Sequence, residues 1–259
     1  MIINFDPQFV DASKALDNVV YITGKKEISY EHYLSAIGIV VRLGITLNKE
    51  FLSRFNRLKF AATITTGTDH INTQYCKKEG IQLISLKEHT EFLEEIHATP
   101  EHTWGLLLSL MRKIPWAFDS VRKGIFDRKD FFGRELYKKC FGIIGFGRVG
   151  KILAQYAYSF GMDVIVDELK EIEEDMYKVK SVPLEKLLKT ADIISINLPL
   201  NKSTRHFLKE EHFKLMKKNA VLINTSRGAI IDEGALLIAL ENNDIAGAAL
   251  DVLEHESLE

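Results

Sequence analysis

Short apolar runs along the first part of this chain alternate with stretches of helical pattern. Five of these runs are β-branched and bounded by Gly, Asn, Lys or Asp, and they predict strands over Ile2–Phe5, Val19–Ile22, Ile37–Val41, Phe60–Ile64 and Ile81–Ser85. Asn48 is expected to cap a helix that runs to about Phe55, and another helix is expected over Asp69–Lys78. Strands that alternate with helices indicate a parallel sheet covered on both faces.

The same alternation continues through the second part of the chain. Proline suits the first turn of a helix, so a helix is expected to open at Pro100, with Trp104, Leu107, Leu108 and Met111 on one face. His102 lies at this helix start, and we interpret it as structural. Further strands are predicted from Cys140 and over Asp163–Asp167, Ile193–Leu198, Ala220–Thr225 and Ala246–Val252, with helices over Val149–Phe160, Glu185–Thr190, Glu210–Lys217 and Glu233–Asn242.

A charged stretch separates the two parts. Residues 86–97 are rich in Lys, Glu and His, which is typical of an exposed linker with some helical character. The length of 259 residues is enough for two domains. We therefore predict two α/β domains with doubly wound parallel sheets, over residues 1–96 and 97–259. The first has no glycine-rich phosphate loop, so it is the candidate substrate domain.

Composition limits the partners and the compartment. The net charge is −2, so no global field favours nucleic acid or an anionic membrane. No apolar run reaches the ~18–20 residues of a membrane span, and the N-terminus lacks the basic start and apolar core of a signal peptide. The two cysteines, Cys76 and Cys140, lie far apart in patterns that indicate burial. They favour a reducing cytoplasm, with neither a disulfide framework nor a metal site.

Residues 112–139 mix Lys and Arg with aromatic side chains. Such a mixture can bind single-stranded nucleic acid through charge and stacking. No RNA-binding motif is present. Four acids interrupt the basic run: Asp119, Asp127, Asp130 and Glu135. We therefore favour a subunit arm or a surface loop.

A glycine pattern follows the strand that begins at Cys140. In Gly-x-Gly-x-x-Gly, Gly145 permits a sharp turn, Gly147 permits close approach of the backbone to a pyrophosphate, and Gly150 permits tight packing of the following helix. The N-terminus of that helix directs free N–H groups and a partial positive charge at the phosphates. A plain βαβ turn is the alternative, but the flanking strand and helix favour a dinucleotide site.

Asp167 ends the next predicted strand, about 17 residues after the last glycine, near the ~20 expected of a carboxylate that binds the adenosine ribose. It is followed by Glu168 and Leu169, with no Arg to accept a 2′-phosphate. A carboxylate there repels that phosphate, so NAD is favoured over NADP.

Other candidate ligand residues also follow predicted strands, where ligands bind in open α/β sheets. Arg42 can bind a carboxylate or phosphate, or pair with a nearby acid at the surface. The loop at Thr66 and Gly67 can offer N–H groups to an anion, or simply start a helix. Arg227 suits a substrate carboxylate, the alternative being an Arg with an acidic partner. Strand ends in the second domain share an edge, so one crevice can be lined by Gly145–Gly150, Asp167, Leu198, Arg227 and Asp251.

Six motifs occur in one order along the chain: Pro100-Glu101-His102-Thr103, Gly142-Ile143-Ile144-Gly145-Phe146-Gly147-Arg148-Val149-Gly150, Pro199-Leu200 with Thr204, Asn224-Thr225-Ser226-Arg227-Gly228, Asp232-Glu233-Gly234-Ala235-Leu236 and Gly247-Ala248-Ala249-Leu250-Asp251-Val252. Together they resemble the NAD-dependent D-2-hydroxyacid dehydrogenases, above all the phosphoglycerate dehydrogenase-like branch. The resemblance runs from about Ala36 to Glu256. It implies a flavodoxin-like substrate domain and a Rossmann NAD-binding domain, with catalysis in the cleft between them.

The resemblance also implies roles for individual residues. Arg227 would bind the substrate carboxylate, and Glu256 would orient a catalytic His. NAD would be held by the side chains of Asp167 and Asp251 and by the backbone at Arg148, Val149, Leu198, Thr225 and Ser226. The substrate side would include Arg42, Thr66 and Gly67.

Two departures from the family pattern stand out. None of the eight histidines occupies the position of the catalytic His, which the family carries in a loop further along the chain. The segment that returns to the first domain is also missing, so we expect a C-terminally truncated and inactive chain. Residues 87–99 exceed the family's connection between the domains.

The function implied is hydride transfer between NAD and C2 of a small D-2-hydroxyacid or 2-oxoacid. The acid is expected to be 3-phosphoglycerate-like or glyoxylate/hydroxypyruvate-like, although the segment from Thr66 to His70 is also similar to erythronate-phosphate dehydrogenase. The expected partner is a second copy, in a homodimer through the NAD-binding domain. The alternative is a non-catalytic NAD-sensing binding protein on the same fold.

Overall fold

The computed structural model of the protein describes residues 1–5, 19–22, 27–172 and 177–255. The chain divides into two compact units, Met1–Glu95 and Ile96–Glu259. Each unit contains one sheet whose strands all pair in parallel. The predicted α/β class with two parallel sheets is therefore confirmed.

The first unit has a five-stranded sheet in the order β2-β1-β3-β4-β5. Each of the five predicted runs contains one strand: β1 Ile2–Asn4, β2 Val19–Tyr21, β3 Gly38–Val41, β4 Phe60–Thr63 and β5 Gln82–Ile84. This order is that of flavodoxin-like folds. The central strand β3 is buried along its whole length, as expected of a sheet covered on both faces.

In the described part of the first unit, the helices are α1 Tyr30–Ser35, α2 Lys49–Leu52, α3 Thr73–Lys78 and α4 Thr90–Glu94. Asn48 caps α2 as predicted, because its Oδ1 accepts the N–H of Phe51 at 2.8 Å. The helix predicted from Asp69 begins later, because Asn72 is the N-cap and its Oδ1 accepts the N–H of Tyr75 at 2.9 Å. The charged stretch after β5 contains a short 3₁₀ helix, Leu86–Glu88, followed by α4.

The second unit has a six-stranded sheet in the order β11-β10-β9-β6-β7-β8. Its strands are β6 Cys140–Ile144, β7 Asp163–Asp167, β8 Lys180–Ser181, β9 Ile193–Ile196, β10 Val221–Asn224 and β11 Gly247–Leu250. Read from the other edge, the order is that of a Rossmann sheet, in which the first strand is central and the chain crosses over it to build the second half. The reversal of strand order falls between β6 and β9, and dinucleotides bind at such a point.

Helices cover both faces of this second sheet. They are α5 Ala98–Met111, α6 Ile114–Arg122, α7 Arg148–Ser159, α8 Leu184–Thr190, α9 Glu210–Phe213 and α10 Glu233–Glu241. Residues of α5 and α7 share one apolar core, and residues of α8, α9 and α10 share the other. The buried face of α5 carries Trp104, Leu107 and Met111, so this helix is anchored firmly on the sheet. Within the described ranges, no helix has both the length and the apolar character needed to cross a bilayer.

Two parts of the second unit differ from the sequence prediction. The helix predicted over Glu210–Lys217 ends at Phe213, because the next residues form tighter turns in which Leu215 N–H donates to His212 O and Met216 N–H to Phe213 O. The basic and aromatic stretch, expected to be an arm or loop, contains α6 and a 3₁₀ turn over Lys129–Phe131.

Candidate functional site

Five strands of the second sheet end on one continuous row. Asp167 of β7 pairs with Ile144 of β6, Ile144 with Ile196 of β9, Ile196 with Asn224 of β10, and Asn224 with Leu250 of β11. Predicted site residues follow this row within one or two positions, and they are Gly145, Leu198, Thr225 and Asp251. Residues from five separate parts of the sequence therefore meet at one edge of the sheet.

The three glycines after β6 have three different environments. Gly145 has a φ of +89°, and a Cβ atom there would lie 2.9 Å from Leu198 Cδ2. A Cβ atom on Gly150 would lie 2.6 Å from the carbonyl oxygen of Gly145, so only glycine lets α7 pack this close to the turn. Gly147 is exposed, and a Cβ atom there would meet nothing within 4 Å. Open space therefore lies next to the second glycine, where a ligand's phosphates need it.

The N-terminus of α7 opens toward this space. Gly147 is its N-cap and has no side chain that could accept the first N–H groups. The first backbone bond of the helix is donated by Lys151 to Gly147 O at 2.9 Å, so the amides of Arg148 and Val149 lie in the first turn, before the helix's own series of hydrogen bonds begins. The Arg148 guanidinium donates to the carbonyl of Ile96 at 2.7 Å, which ties the start of this unit to the glycine turn.

Glu168 is a residue of this site whose structural role was not predicted. Its Oε2 accepts the N–H of Phe146 at 2.8 Å, and its Oε1 accepts the N–H groups of Leu169 at 2.9 Å and Lys170 at 3.2 Å. Burial tends to raise the pKa of Glu168, but these three bonds outweigh it and the pKa lies below its ordinary value. The carboxylate is therefore charged at neutral pH and clamps the glycine turn to the end of β7.

Asp167, the predicted ribose ligand, is next to this clamp. Its carbonyl oxygen accepts the N–H of Gly145 at 3.0 Å, and its side chain is partly buried at the edge of the sheet. Burial first, and the charge of Glu168 second, raise the pKa of the Asp167 carboxyl, and a bond from the N–H of Leu184 offsets part of that rise. Two neighbouring acids thus give this corner of the site a negative field.

A buried asparagine organises the turn after β10. Asn224 has no solvent exposure, its Nδ2 donates to Arg227 O at 2.9 Å, and its Oδ1 accepts the N–H of Ser226 at 3.0 Å and the hydroxyl of Ser226 at 2.8 Å. The partly buried Arg227 donates from its guanidinium to the carbonyl of Ser226 at 2.8 Å. A Cβ atom on Gly228 would overlap the backbone of Leu253, so the chain after β11 passes directly against this turn.

The second turn of α5 reaches the ends of β10 and β11. His102 Nε2 lies 2.9 Å from Asp251 Oδ1, and the hydroxyls of Thr103 and Thr225 lie 2.7 Å apart. Asp251 also donates its backbone N–H to the carbonyl of Asn224 at 3.0 Å. His102, interpreted from the sequence as structural, therefore contacts a predicted site residue.

The remaining predicted residues lie elsewhere. Arg42 follows β3 and the pair Thr66 and Gly67 follows β4, so the three share one edge of the first unit's sheet, since those strands are neighbours. The hydroxyl of Thr65 donates to Gly67 O at 2.7 Å and fixes this loop. Glu256, predicted to orient a catalytic His, lies outside the described residues.

Two family models match the chain. The model described as D-isomer specific 2-hydroxyacid dehydrogenase, NAD binding domain, matches residues 104–259. The model for the catalytic domain of the same dehydrogenases matches residues 4–91. Together the two matches cover nearly the whole chain.

Named relatives agree with these matches. The chain is 35% identical to D-3-phosphoglycerate dehydrogenase of Methanocaldococcus jannaschii over 97% of its own length and 48% of that protein. It is 39% identical to glyoxylate reductase of Thermococcus litoralis over 81% of its own length and 65% of that protein. The chain thus spans about half to two thirds of the length of these relatives.

A solved structure shares the fold across both units. It is D-lactate dehydrogenase from Aquifex aeolicus in complex with NAD and lactic acid, which is 32% identical and has a TM-score of 0.89. The similarity covers 98% of this chain and 77% of that one.

Proposed function

Because this chain belongs to the D-isomer specific 2-hydroxyacid dehydrogenases, we propose that it serves an oxidoreductase that moves a hydride between NAD and C2 of a small D-2-hydroxyacid or 2-oxoacid. The second unit matches the family's NAD-binding domain, so NAD is its cofactor. The observation that carries the proposal is the single row of strand ends. The glycine turn, Asp167, Arg227 and Asp251 all lie at or just after this row.

The proposed cofactor site extends along this row. The backbone amides of Arg148 and Val149, at the start of α7, suit the diphosphate, and the carboxylate of Asp167 suits the adenosine ribose hydroxyls. With the adenosine half at β7, the nicotinamide half belongs at the ends of β9, β10 and β11, where the proposed contacts are Leu198, Thr225, Ser226 and Asp251. The fit is supported by the open space beside Gly147. When bound, NAD supplies the hydride acceptor or donor.

Arg227 is the proposed anchor of the substrate carboxylate. A guanidinium can donate two parallel hydrogen bonds to one carboxylate, which fixes both the position and the orientation of an acid. Asn224 holds the turn that carries Arg227, so the guanidinium is attached to a rigid base. In the first domain, residues 1–96, the residues proposed to face the substrate are Arg42, Thr66 and Gly67.

Proton transfer to or from the substrate oxygen is proposed to need a His–Glu pair. Glu256 is the proposed acid of this pair, and it would orient the imidazole and stabilise its charged form. The His is not among the eight histidines of the sequence, as inferred from the resemblance. We therefore propose that the 259-residue chain binds NADH but turns over slowly. For the substrate we propose a 3-phosphoglycerate-like or glyoxylate/hydroxypyruvate-like acid, in line with the names of the relatives.

Replacing Arg227 by Ala tests this proposal without relying on turnover. We expect glyoxylate or hydroxypyruvate to bind the NADH-loaded chain, and the variant to bind them at least about 30-fold more weakly, because a charged hydrogen-bonded anchor is lost. The affinity for NADH itself should stay within about twofold. Calorimetric titration of both ligands gives the two constants.

The control for this variant is Arg54→Ala, which removes an exposed arginine that pairs with Glu50 at 3.5 Å. It should bind acid like the wild type. If the Arg227 variant bound the acids as tightly as the wild type, Arg227 would not be the carboxylate anchor. Rapid turnover by the 259-residue chain would refute the proposal that the chain lacks the catalytic His. NADH binding with neither acid binding nor turnover would favour the NAD-sensing alternative.

We also propose that a second copy of this chain covers an aromatic surface on the second unit. The name aromatic surface is used here for residues 114–132, in which seven large apolar side chains are each more than half exposed: Ile114, Trp116, Phe118, Val121, Ile125, Phe126 and Phe132. Clusters of exposed apolar side chains are typical of protein–protein interaction sites. Arg122 and Arg128 lie over the rings of Phe118 and Phe126, each at 5.7 Å, so each ring already has a charged neighbour that could face an acid of the second copy.

Sedimentation tests this dimer. We expect the wild type to sediment as a dimer and the double variant Trp116→Glu, Phe118→Glu as a monomer, since buried charges without partners are costly. Leu237→Glu, a change at an exposed leucine of α10 outside the aromatic surface, should leave the dimer intact. A monomeric wild type would contradict the proposal.

The cytoplasm is the proposed location. Cys76 and Cys140 are both free thiols, and burial raises the pKa of the Cys140 thiol to about 11. Such a thiol stays protonated and unreactive, which is typical of a structural cysteine in a reducing compartment. Recovery of the protein from a secreted fraction would contradict this location.

A further inference from the structure

One turn of helix α5 bonds to the ends of two neighbouring strands. His102 and Asp251 are 149 residues apart in the sequence, and Thr103 and Thr225 are 122 apart. Because α5 is anchored by Trp104, Leu107 and Met111, its second turn is a fixed support beside the ends of β10 and β11. Two adjacent residues of this turn thus each hold one residue of the strand row.

The direction of each bond follows from the chemistry of its partners. An ionised carboxylate only accepts, so His102 carries its hydrogen on Nε2 and donates it to Asp251. The hydroxyl of Thr103 donates to the carbonyl of Thr99 at 2.8 Å. A hydroxyl has one hydrogen, so the hydroxyl of Thr225 donates to Thr103. Both site residues therefore have one oxygen engaged and their orientation fixed.

The contact between His102 and Asp251 is expected to contribute little to the stability of the fold. The side chain of His102 is 52% exposed and that of Asp251 47% exposed. Pairs this exposed contribute little to folding, because water competes for both groups and side-chain entropy is lost. What the contact does fix is the direction of one carboxylate at the edge of the sheet.

We propose that His102 is a positioning residue for the nicotinamide half of NAD, and that Thr103 assists it by holding Thr225. This inference rests on the proposed cofactor site. The nicotinamide ring carries a carboxamide whose N–H groups are donors, and a carboxylate acceptor binds them best when it cannot rotate. With Oδ1 bound to His102, Asp251 keeps Oδ2 for that ligand. His102 acts through Asp251 and has no part in hydride or proton transfer.

The test compares NADH with ADP-ribose, which has both riboses and the diphosphate but lacks the nicotinamide ring and its carboxamide. Binding of both ligands to the full 259-residue chain is measured by calorimetry for the wild type, His102→Leu, His102→Gln and Thr103→Val. Thermal unfolding of each variant is measured alongside. His97→Leu is the matched control, because His97 bonds Tyr156 at 3.1 Å beside the start of the same helix, on a contact that does not involve the strand row.

We expect His102→Leu to weaken NADH binding about fivefold to tenfold, the effect of losing one hydrogen bond to a charged group. ADP-ribose binding and the unfolding midpoint should not change. His102→Gln, whose amide can still donate to Asp251, should recover most of the NADH affinity, and Thr103→Val should lose part of it. The His97 variant should bind both ligands like the wild type.

Three results would overturn the inference. NADH affinity equal to that of the wild type in His102→Leu would show that the contact does not serve the cofactor. An equal loss for NADH and ADP-ribose, with a lower unfolding midpoint, would assign His102 to folding alone. A wild-type chain that binds neither ligand would refute the proposed function itself, and this inference with it.

Discussion

Gly147→Ala is expected to leave the fold of the chain intact and to remove most of its affinity for NADH. A Cβ atom at this position meets nothing within 4 Å, and the φ of −77° suits any residue. In the protein alone the new methyl group therefore lies in open space. The backbone at the second glycine of such a turn lies against the diphosphate, so the same methyl group takes space that the cofactor needs.

The expected size of this effect is at least about 30-fold in the dissociation constant, or roughly 2 kcal/mol. The unfolding midpoint should stay within about 2 °C of the wild type. Gly150→Ala gives the contrast, because its Cβ atom would lie 2.6 Å from Gly145 O and 3.1 Å from Ile143 Cγ2. That variant should lose both stability and NADH binding. Normal NADH affinity in a well-folded Gly147 variant would place the diphosphate elsewhere.

The second large effect concerns the choice between NADH and NADPH. Two like unit charges 4 Å apart near a protein surface repel by about 4 kcal/mol, and two neighbouring acids, Asp167 and Glu168, lie at the proposed ribose site. A 2′-phosphate at the proposed ribose site of Asp167 would lie near both acids, and the bonds that lower the pKa of Glu168 keep it charged. We therefore expect the wild type to bind NADPH at least about 100-fold more weakly than NADH.

Asp167→Ser is expected to reduce the difference between the affinities for NADH and NADPH by changing both of them. NADH affinity should fall about tenfold, because a charged acceptor for the ribose hydroxyls is lost, while NADPH affinity should rise. Asp163→Ser is the matched control, since Asp163 begins the same strand that Asp167 ends and lies exposed at the opposite edge of the sheet. Fluorescence titration of the wild type and both variants with both nucleotides measures all six constants. A wild type that binds NADPH as well as NADH would contradict the role of the two acids.

Local patterns in the sequence predicted those parts of the fold that depend on local chemistry. Strand β7 was predicted with its observed bounds, Asp163–Asp167, because it is a short β-branched run between two polar ends. The glycine turn and helix α7 were predicted because each glycine has a distinct steric reason. Asp192, by contrast, gave no signal, although its carboxylate joins Cys140 N–H to the Lys217 amino group.

Other features depend on contacts between distant residues. Strand β8 has two polar residues, Lys180 and Ser181, and exists because β7 offers a free edge for pairing. Helix α6 follows Lys113, whose φ of 53° is left-handed, and the sequence does not predict this conformation. The Glu168 clamp spans 22 residues and the His102 contact 149. From residue type alone, Glu168 was only an acid next to Asp167, and His102 was interpreted as a structural histidine.

A crystal structure of the 259-residue chain grown with NAD tests the central claim most directly. We expect the diphosphate at the amides of Arg148 and Val149, the adenosine ribose on the carboxylate of Asp167, and the nicotinamide ring beside Arg227. The claim would be contradicted if NAD bound elsewhere on the chain. It would also be contradicted if the diphosphate lay away from the glycine turn and the Arg227 side chain pointed away from the nicotinamide ring.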